Sequence, residues 1–309
     1  MWQNLRWEIN AKFKEKIHRH VSSFQVIILG FMLVILLGSL CLTLPLATRD
    51  GQGASFLDAL FTSTSAVCVT GLVLHDTALY WSPFGQLVIL LLIQVGGMGV
   101  VTIAVAIFMF AGKRIGLKQR WVMQESISAP QVGGIVRMTG FILKTAFLIE
   151  GVGVLLLALR FCPHFGLGRG LWYAVFHSVS AFCNAGFDLM GVNSPFSSLT
   201  DYVGDPLVSN VIAFLIIIGG VGFLTWNDIR EHKLHFRRYR LQSKLILTTT
   251  LALILTGLLF FLLYEFEQGQ WVDMSLWERI NAAFFQSVTP RTAGFNTVDL
   301  TGLSQPAQL

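Results

Sequence analysis

Three short stretches of the chain combine a phenylalanine, a run containing small hydroxyl residues and, nine or ten positions after the phenylalanine, a glycine. Phe61-Thr62-Ser63-Thr64-Ser65 leads to Gly71, Phe176-His177-Ser178-Val179-Ser180 to Gly186, and Phe285-Gln286-Ser287-Val288-Thr289 to Gly294. The chemistry open to such a segment belongs to the main chain. A dehydrated cation needs a ring of oxygens in place of its water, and peptide carbonyls supply one where the backbone turns them inward. Glycine permits the left-handed or extended angles that such a turn demands. A single glycine would more simply be a turn or a close helix contact. Three at matched offsets suggest one membrane-embedded hairpin that has been repeated, and hence an ion pathway.

Composition supplies the elements that position these motifs. Of the residues, 54% are hydrophobic and only 13% charged, with a mean hydropathy of +0.65, which excludes an ordinary soluble domain. Five segments are long and apolar enough to cross a bilayer: 26–44, 84–110, 140–159, 207–226 and 245–264. Ahead of the glycines lie helix-compatible runs too short to cross, 54–66, 171–182 and 276–288, which read as re-entrant pore helices. Each ends at its motif, so its partial negative end faces the cavity and favours cations. The first apolar segment is too long for a cleaved signal, and Pro45 and Arg49 follow it without a cleavage site, so it reads as a retained helix.

Charge orients the bundle. Residues 1–20 carry Arg6, Lys12, Lys14, Lys16 and Arg19; residues 113–137 carry Lys113, Arg114, Lys118, Arg120 and Arg137; six more basic residues lie in 227–244. The opposite segments, 45–83, 160–206 and 265–309, hold five Arg, no Lys and eleven acidic residues. Basic loops stay cytoplasmic, so the N-terminus is expected inside and all three glycine motifs outside.

The sequences Val69-Thr70-Gly71-Leu72, Cys183-Asn184-Ala185-Gly186-Phe187 and Pro290-Arg291-Thr292-Ala293-Gly294-Phe295-Asn296-Thr297 resemble filter loops of the Trk/Ktr/HKT potassium transporter superfamily, nearest to the membrane subunit of the bacterial Ktr system. The resemblance covers essentially the whole chain, including Gln94-Val95-Gly96-Gly97-Met98-Gly99 and Gly219-Gly220-Val221-Gly222 at the descending helices. It implies an all-α polytopic membrane protein of repeated helix, pore helix, filter loop and helix hairpins around a central pore. The expected organisation is a basic cytoplasmic N-terminus (1–20), repeat one (21–112), a basic cytoplasmic loop (113–139), repeat two (140–226), a second basic loop (227–244) and a third repeat (245–309). The family has four repeats, so the chain reads as truncated in its third, as a fragment or a shortened gene product.

The family resemblance further implies potassium uptake across a bacterial plasma membrane. Filter carbonyls are expected from Val69, Thr70 and Gly71, from Asn184, Ala185 and Gly186, and from Thr292, Ala293 and Gly294. Glycine in every loop accompanies potassium preference in the family, whereas serine at the first accompanies sodium transport. No cofactor is implied beyond the transported potassium, and sodium dependence stays open. The implied partners are a second copy of the chain and a cytosolic nucleotide-binding regulatory ring of the KtrA/TrkA type, contacted through 113–120 and 230–240. Anionic lipid is a further partner of the basic loops, and nucleic acid is not.

Other residues carry paired readings. Asp76, Asp188 and Asp299 follow their glycines closely and would concentrate cations at the external mouth, or else cap local turns. Arg291 would brace the filter through carbonyls or carboxylates, or lie at the surface. Glu150 is costly within an apolar span, and Lys144, six residues earlier, is poorly placed to pair with it, so either a partner elsewhere or access by water is expected, with a role in packing or assembly. The repeated Gly96, Gly97, Gly99, Gly219, Gly220 and Gly222 are expected to let the descending helices press on the pore helices, without an ion-binding role. Cys41, Cys68, Cys162 and Cys183 lack zinc or redox spacing. His177 and Cys183 carry no hydrolase motif, so the chain is not read as an enzyme. A non-transporting scaffold and, more remotely, an intramembrane hydrolase are the competing classes.

Overall fold

A computed structural model describes residues 22–110, 116–126, 134–233, 235–267, 269–291 and 293–308. The basic 1–20 segment, Lys113, Arg114 and Thr292, all singled out above, lie outside the described residues. The described part is α-helical, with no strand beyond an isolated bridge between Thr48 and Trp81.

The chain runs twice through the same sequence of elements and starts it a third time. An ascending helix, α1 (Ser23–Leu42), returns through the re-entrant α2 (Phe56–Cys68), a loop and the short α3 (Thr77–Tyr80) to the descending α4 (Pro83–Met98) and α5 (Val100–Phe110). After α6 (Leu117–Ser126), the second unit comprises α7 (Ile135–Phe165), α8 (Leu167–Phe182), α9 (Pro206–Val221) and α10 (Phe223–His232). The third comprises α11 (Leu241–Tyr264), α12 (Leu276–Val288) and the terminal turn α13 (Gln305–Gln308).

Local sequence sets these boundaries. The Ser22 hydroxyl accepts from the Gln25 amide while the Gln25 side chain returns to the Ser22 N–H, and Ser275 with Glu278 repeats this at α12. The descending helices share a capped proline start: Ser82 caps α4 ahead of Pro83, and Asp205 caps α9 ahead of Pro206. Proline fits the first turn because its missing N–H would have no helical partner there. The re-entrant helices of 13, 16 and 13 residues are each too short to cross.

The descending spans depart from the expected continuous helices. They break at Gly99, where α4 and α5 meet at 100°, and at Gly222, where α9 and α10 meet at 91°. Gly99 and Gly222 adopt φ of +82° and +87°, angles that an L side chain resists. A Cβ on Gly222 would meet nothing within 4 Å. These two glycines therefore make bends, whereas the sequence reading gave them helix contacts. Asp228, fully buried on α10, pins the second bent arm to α11 by accepting from the Arg240 N–H at 3.0 Å and the Ser243 hydroxyl at 2.6 Å.

The core gathers behind the glycine loops. Phe176, Ala185, Phe187, Leu189, Phe285, Ala293 and Phe295 are all buried. The opposite faces are apolar and exposed, including Leu29, Leu33 and Leu37 on α1, Leu148 and Leu155 on α7, and Leu251, Leu255 and Leu259 on α11. Apolar belts of this extent are satisfied by lipid hydrocarbon.

Candidate functional site

The three motif glycines adopt nearly one conformation: φ is +74° at Gly71, +72° at Gly186 and +75° at Gly294. Two residues earlier the chain is already left-handed, at Val69 (φ +58°) and Asn184 (φ +57°). A β-branched valine in that region stores strain of about 1–3 kcal/mol, which the surrounding structure must hold in place. The loops are folded back on their helices by matched hydrogen bonds. Thr70 N–H donates to the Ser65 carbonyl at 2.9 Å, Ala185 N–H to Ser180 at 2.8 Å, and Ala293 N–H to Thr289 at 3.0 Å.

The last hydroxyl of each motif has a use that its sequence position did not disclose. Ser180 Oγ donates to the Phe187 carbonyl at 2.6 Å, and Thr289 Oγ1 donates to Phe295, the equivalent residue after the glycine. In the first loop Ser65 Oγ accepts from Thr70 Oγ1 at 2.9 Å. These bonds tie each loop to its pore helix, at a backbone carbonyl in the second and third and through the Thr70 side chain in the first.

The loops also abut in cyclic order. A Cβ on Gly71 would lie 2.7 Å from the Ala185 carbonyl oxygen, and one on Gly186 would lie 2.3 Å from the Ala293 oxygen. A Cβ on Gly294 would meet only the Gly186 Cα, at 3.4 Å. Beside loops one and three, a cleft of about 680 Å³ is bordered by Thr70, Gln286, Thr289, Gly294 and Asn296. Farther out, Phe196 N–H donates to Asp76 Oδ2 at 2.8 Å, Asn296 N–H donates to Ser198 Oγ at 3.0 Å, and Leu199 N–H donates to the Asn296 carbonyl at 2.8 Å. Each outer loop is thus stapled to the next.

Small residues set how closely the helices approach the loops. The middle serine of each motif faces a glycine of its ascending helix: Ser63 opposes Gly38, Ser178 opposes Gly153, and Ser287 opposes Gly257. Gly96 admits the Val67 carbonyl and Gly219 the Phe182 carbonyl, where a Cβ would come within 2.1 and 1.9 Å. Gly97 lies against Cys183, and a Cβ on Gly220 would stand 3.2 Å from the Asn184 amide and 3.8 Å from Arg291. These four descending-helix glycines do serve close packing. Gly38, Gly153 and Gly257 went unremarked in the sequence, although the 25-residue separation of Gly38 from Ser63 and of Gly153 from Ser178 is a readable signal.

The charged residues divide by role. Asp76 Oδ1 accepts from the Ala78 and Leu79 amides at 2.9 Å each, and Asp299 accepts from the Thr301 N–H at 2.9 Å and hydroxyl at 2.7 Å, so both cap local turns. The Thr301 bonds hold the exposed Asp299 carboxyl below its ordinary value. Asp188 is only partly exposed and accepts from the Met190 N–H at 2.9 Å. Desolvation pushes its carboxyl up to about 6, opposed by that N–H and by the Ser198 hydroxyl and reinforced by Asp76. Glu150, 4% exposed, accepts from Gln94 Nε2 on α4 at 2.9 Å, which supplies the partner that its own helix lacks.

Arg291 donates to the Thr250 hydroxyl on α11 at 3.0 Å, bracing its loop through a hydroxyl. His177 is wholly buried, with Nδ1 at 2.7 Å from the Tyr173 carbonyl and Nε2 accepting from Leu189 N–H at 3.3 Å. Both ring nitrogens are engaged by the main chain, as in a core histidine rather than a general base. All four cysteines are free.

Residues 8–309 match the sequence model of a family described as TrkH, cation transport protein. The potassium/sodium uptake protein NtpJ of Enterococcus hirae is 40% identical over 291 residues, spanning 94% of this chain and 63% of that protein. Ktr system potassium uptake protein B of Bacillus subtilis is 41% identical over 282 residues, spanning 91% of this chain and 62% of that protein. The crystal structure of the potassium transporter TrkH from Vibrio parahaemolyticus aligns with a TM-score of 0.65 at 19% identity, over 94% of this chain and 55% of that one. The chain therefore spans less than two thirds of the length of these curated relatives.

Proposed function

The chain belongs to the TrkH cation transport protein family, and from that premise we propose that it forms the filter-bearing part of a potassium-uptake pore in a bacterial plasma membrane. The observation that carries the proposal is the set of three equivalent glycines, all near φ +74°, with the Ala185 and Ala293 carbonyls against the neighbouring glycine. Peptide oxygens of Val69, Thr70 and Gly71, of Asn184, Ala185 and Gly186, and of Thr292, Ala293 and Gly294 replace the water of a passing cation. The C-terminal ends of α2, α8 and α12, each about half a negative elementary charge, favour cations there. A fourth loop closes the ring across the cleft beside Thr70 and Gly294.

The basic segments lie on the cytoplasmic side, with the N-terminus inside, because short Lys/Arg-rich loops are retained there. Asp76, Asp188 and Asp299, each a few residues after its own loop glycine, supply negative field at the outer mouth. The repeat boundaries follow the hairpins, at 21–112, 140–226 and 245–309. Relatives named as Ktr system proteins support association with further system components. Those components are a second copy of the chain and a nucleotide-binding cytosolic ring of the KtrA/TrkA type. The name of the Enterococcus hirae relative makes sodium the second cation to measure.

Rubidium flux into liposomes carrying the purified chain, with and without the cytosolic components, tests the reading. Flux that potassium suppresses more strongly than sodium supports it. Absent flux from well-folded protein in both preparations counts for a scaffold instead.

A further inference from the structure

A second cleft, of about 780 Å³, lies away from the glycine loops and is bordered by Arg120, Arg137, Lys144 and Arg230. Among the described residues, no acidic side chain lines it and none of these four cations forms an ion pair. Arg230 is held over the Phe141 ring at 4.5 Å. Arg120 Nε is shielded from solvent without a hydrogen-bond partner among the described residues. Lys144 is exposed on α7, four residues or about 6 Å along the helix from the start of the 140–159 apolar span. The helix begins at Gly134 with no side-chain cap, leaving its first N–H groups and partial positive end toward the same cleft.

Four cations and a positive helix end around one cleft repel one another, and a basic side chain at membrane depth is costly without a counter-charge. A phosphate group supplies that charge with oxygens for several donors at once, and guanidinium groups suit it. Its source follows from the wall. Met109 and Phe141 give the cleft an apolar side, and Lys144 carries it to the edge of the apolar span, where the acyl chains of a lipid lie beside its phosphate. We propose that this cleft binds the phosphate of an anionic phospholipid, with Arg137, Lys144 and Arg230 around the headgroup and Met109 and Phe141 against the chains. The site lies at the basic-loop end of the bundle, so its lipid comes from the leaflet that those loops face.

Native mass spectrometry of the delipidated chain, given phosphatidylglycerol or phosphatidylcholine at equal concentration, tests this. Phosphatidylglycerol is expected to be retained about tenfold better, with Arg137→Gln and Lys144→Gln each lowering retention roughly fivefold, as for one basic residue at an anionic surface. Lys144→Arg is expected to keep it. Equal retention of the two lipids, or undiminished retention by a monodisperse double variant, overturns the proposal. Inorganic pyrophosphate that binds without lipid and displaces phosphatidylglycerol also overturns it, in favour of a soluble phosphate. If the glutamine variants do not fold, loss of phosphatidylglycerol preference from wild-type protein at high salt supports the site, and salt-independent preference overturns it. The readout is lipid mass, so failure of rubidium flux and failure of this site are separately visible.

Discussion

Gly186→Ala is the sharpest test of the filter geometry. At φ +72° an alanine gives up about 1–2 kcal/mol of backbone energy. Its methyl would also stand 2.3 Å from the Ala293 carbonyl oxygen and 3.0 Å from the Gly294 Cα, both main-chain atoms that cannot rotate away. Restoring ordinary contact requires the second and third loops to separate by about 1 Å, the difference between 2.3 Å and 3.4 Å. A shift of that size places two sets of the proposed coordinating oxygens out of register, and a misplacement of about 1 Å at a reacting centre is worth on the order of a hundredfold in rate. Rubidium uptake is therefore expected to fall at least tenfold, while the protein remains monodisperse in detergent. Gly151→Ala and Gly168→Ala serve as controls, because a Cβ at either meets nothing within 4 Å and neither has positive φ. Uptake by Gly186→Ala within twofold of wild type, with unchanged competition by sodium, would refute the argument.

Three further outcomes are expected. Gly71→Ser places its Cβ 2.7 Å from the Ala185 oxygen and should reduce potassium preference over sodium, measured by sodium competition in rubidium uptake. Glu150→Gln keeps an acceptor for Gln94 and should leave thermal stability within about 1 kcal/mol of wild type, whereas Glu150→Ala strands a buried donor and should cost about 1–3 kcal/mol. Equal losses in the two variants would show that the charge itself matters. Asp188, with its carboxyl near 6 rather than its ordinary 3.8, binds its proton more tightly in the folded chain. Folding stability therefore falls as pH rises between those values, while the carboxylate becomes available to cations only above about 6. Uptake should rise from pH 5 to pH 7.5, and Asp188→Asn should flatten that rise; an unchanged profile would place the titrating group elsewhere.

What the sequence made legible was local or periodic. Apolar length identified the spans, and α12 occupies the 276–288 run expected for it. The pattern of hydroxyls and glycine marked three loops whose glycines share one backbone angle, because φ near +74° is a demand that a residue type answers directly. Reading the descending segments as continuous failed at Gly99 and Gly222, since a glycine that makes a bend and one that admits a neighbour look alike in a string of letters. Gly96 and Gly99 stand three residues apart, yet one meets the Val67 carbonyl and the other turns the chain by 100°.

The sequence by itself thus determined the membrane class, the repeated hairpin and the three loop glycines at which the backbone turns left-handed. Only the tertiary structure decided which loops abut, that Glu150 answers Gln94 across 56 residues of chain, and that Asp188 is desolvated beside Asp76. Propensity and hydropathy act over a few neighbouring residues. These pairings depend instead on helices that meet only after the chain has folded, where the distance between surfaces, not the spacing of letters, sets which groups can touch.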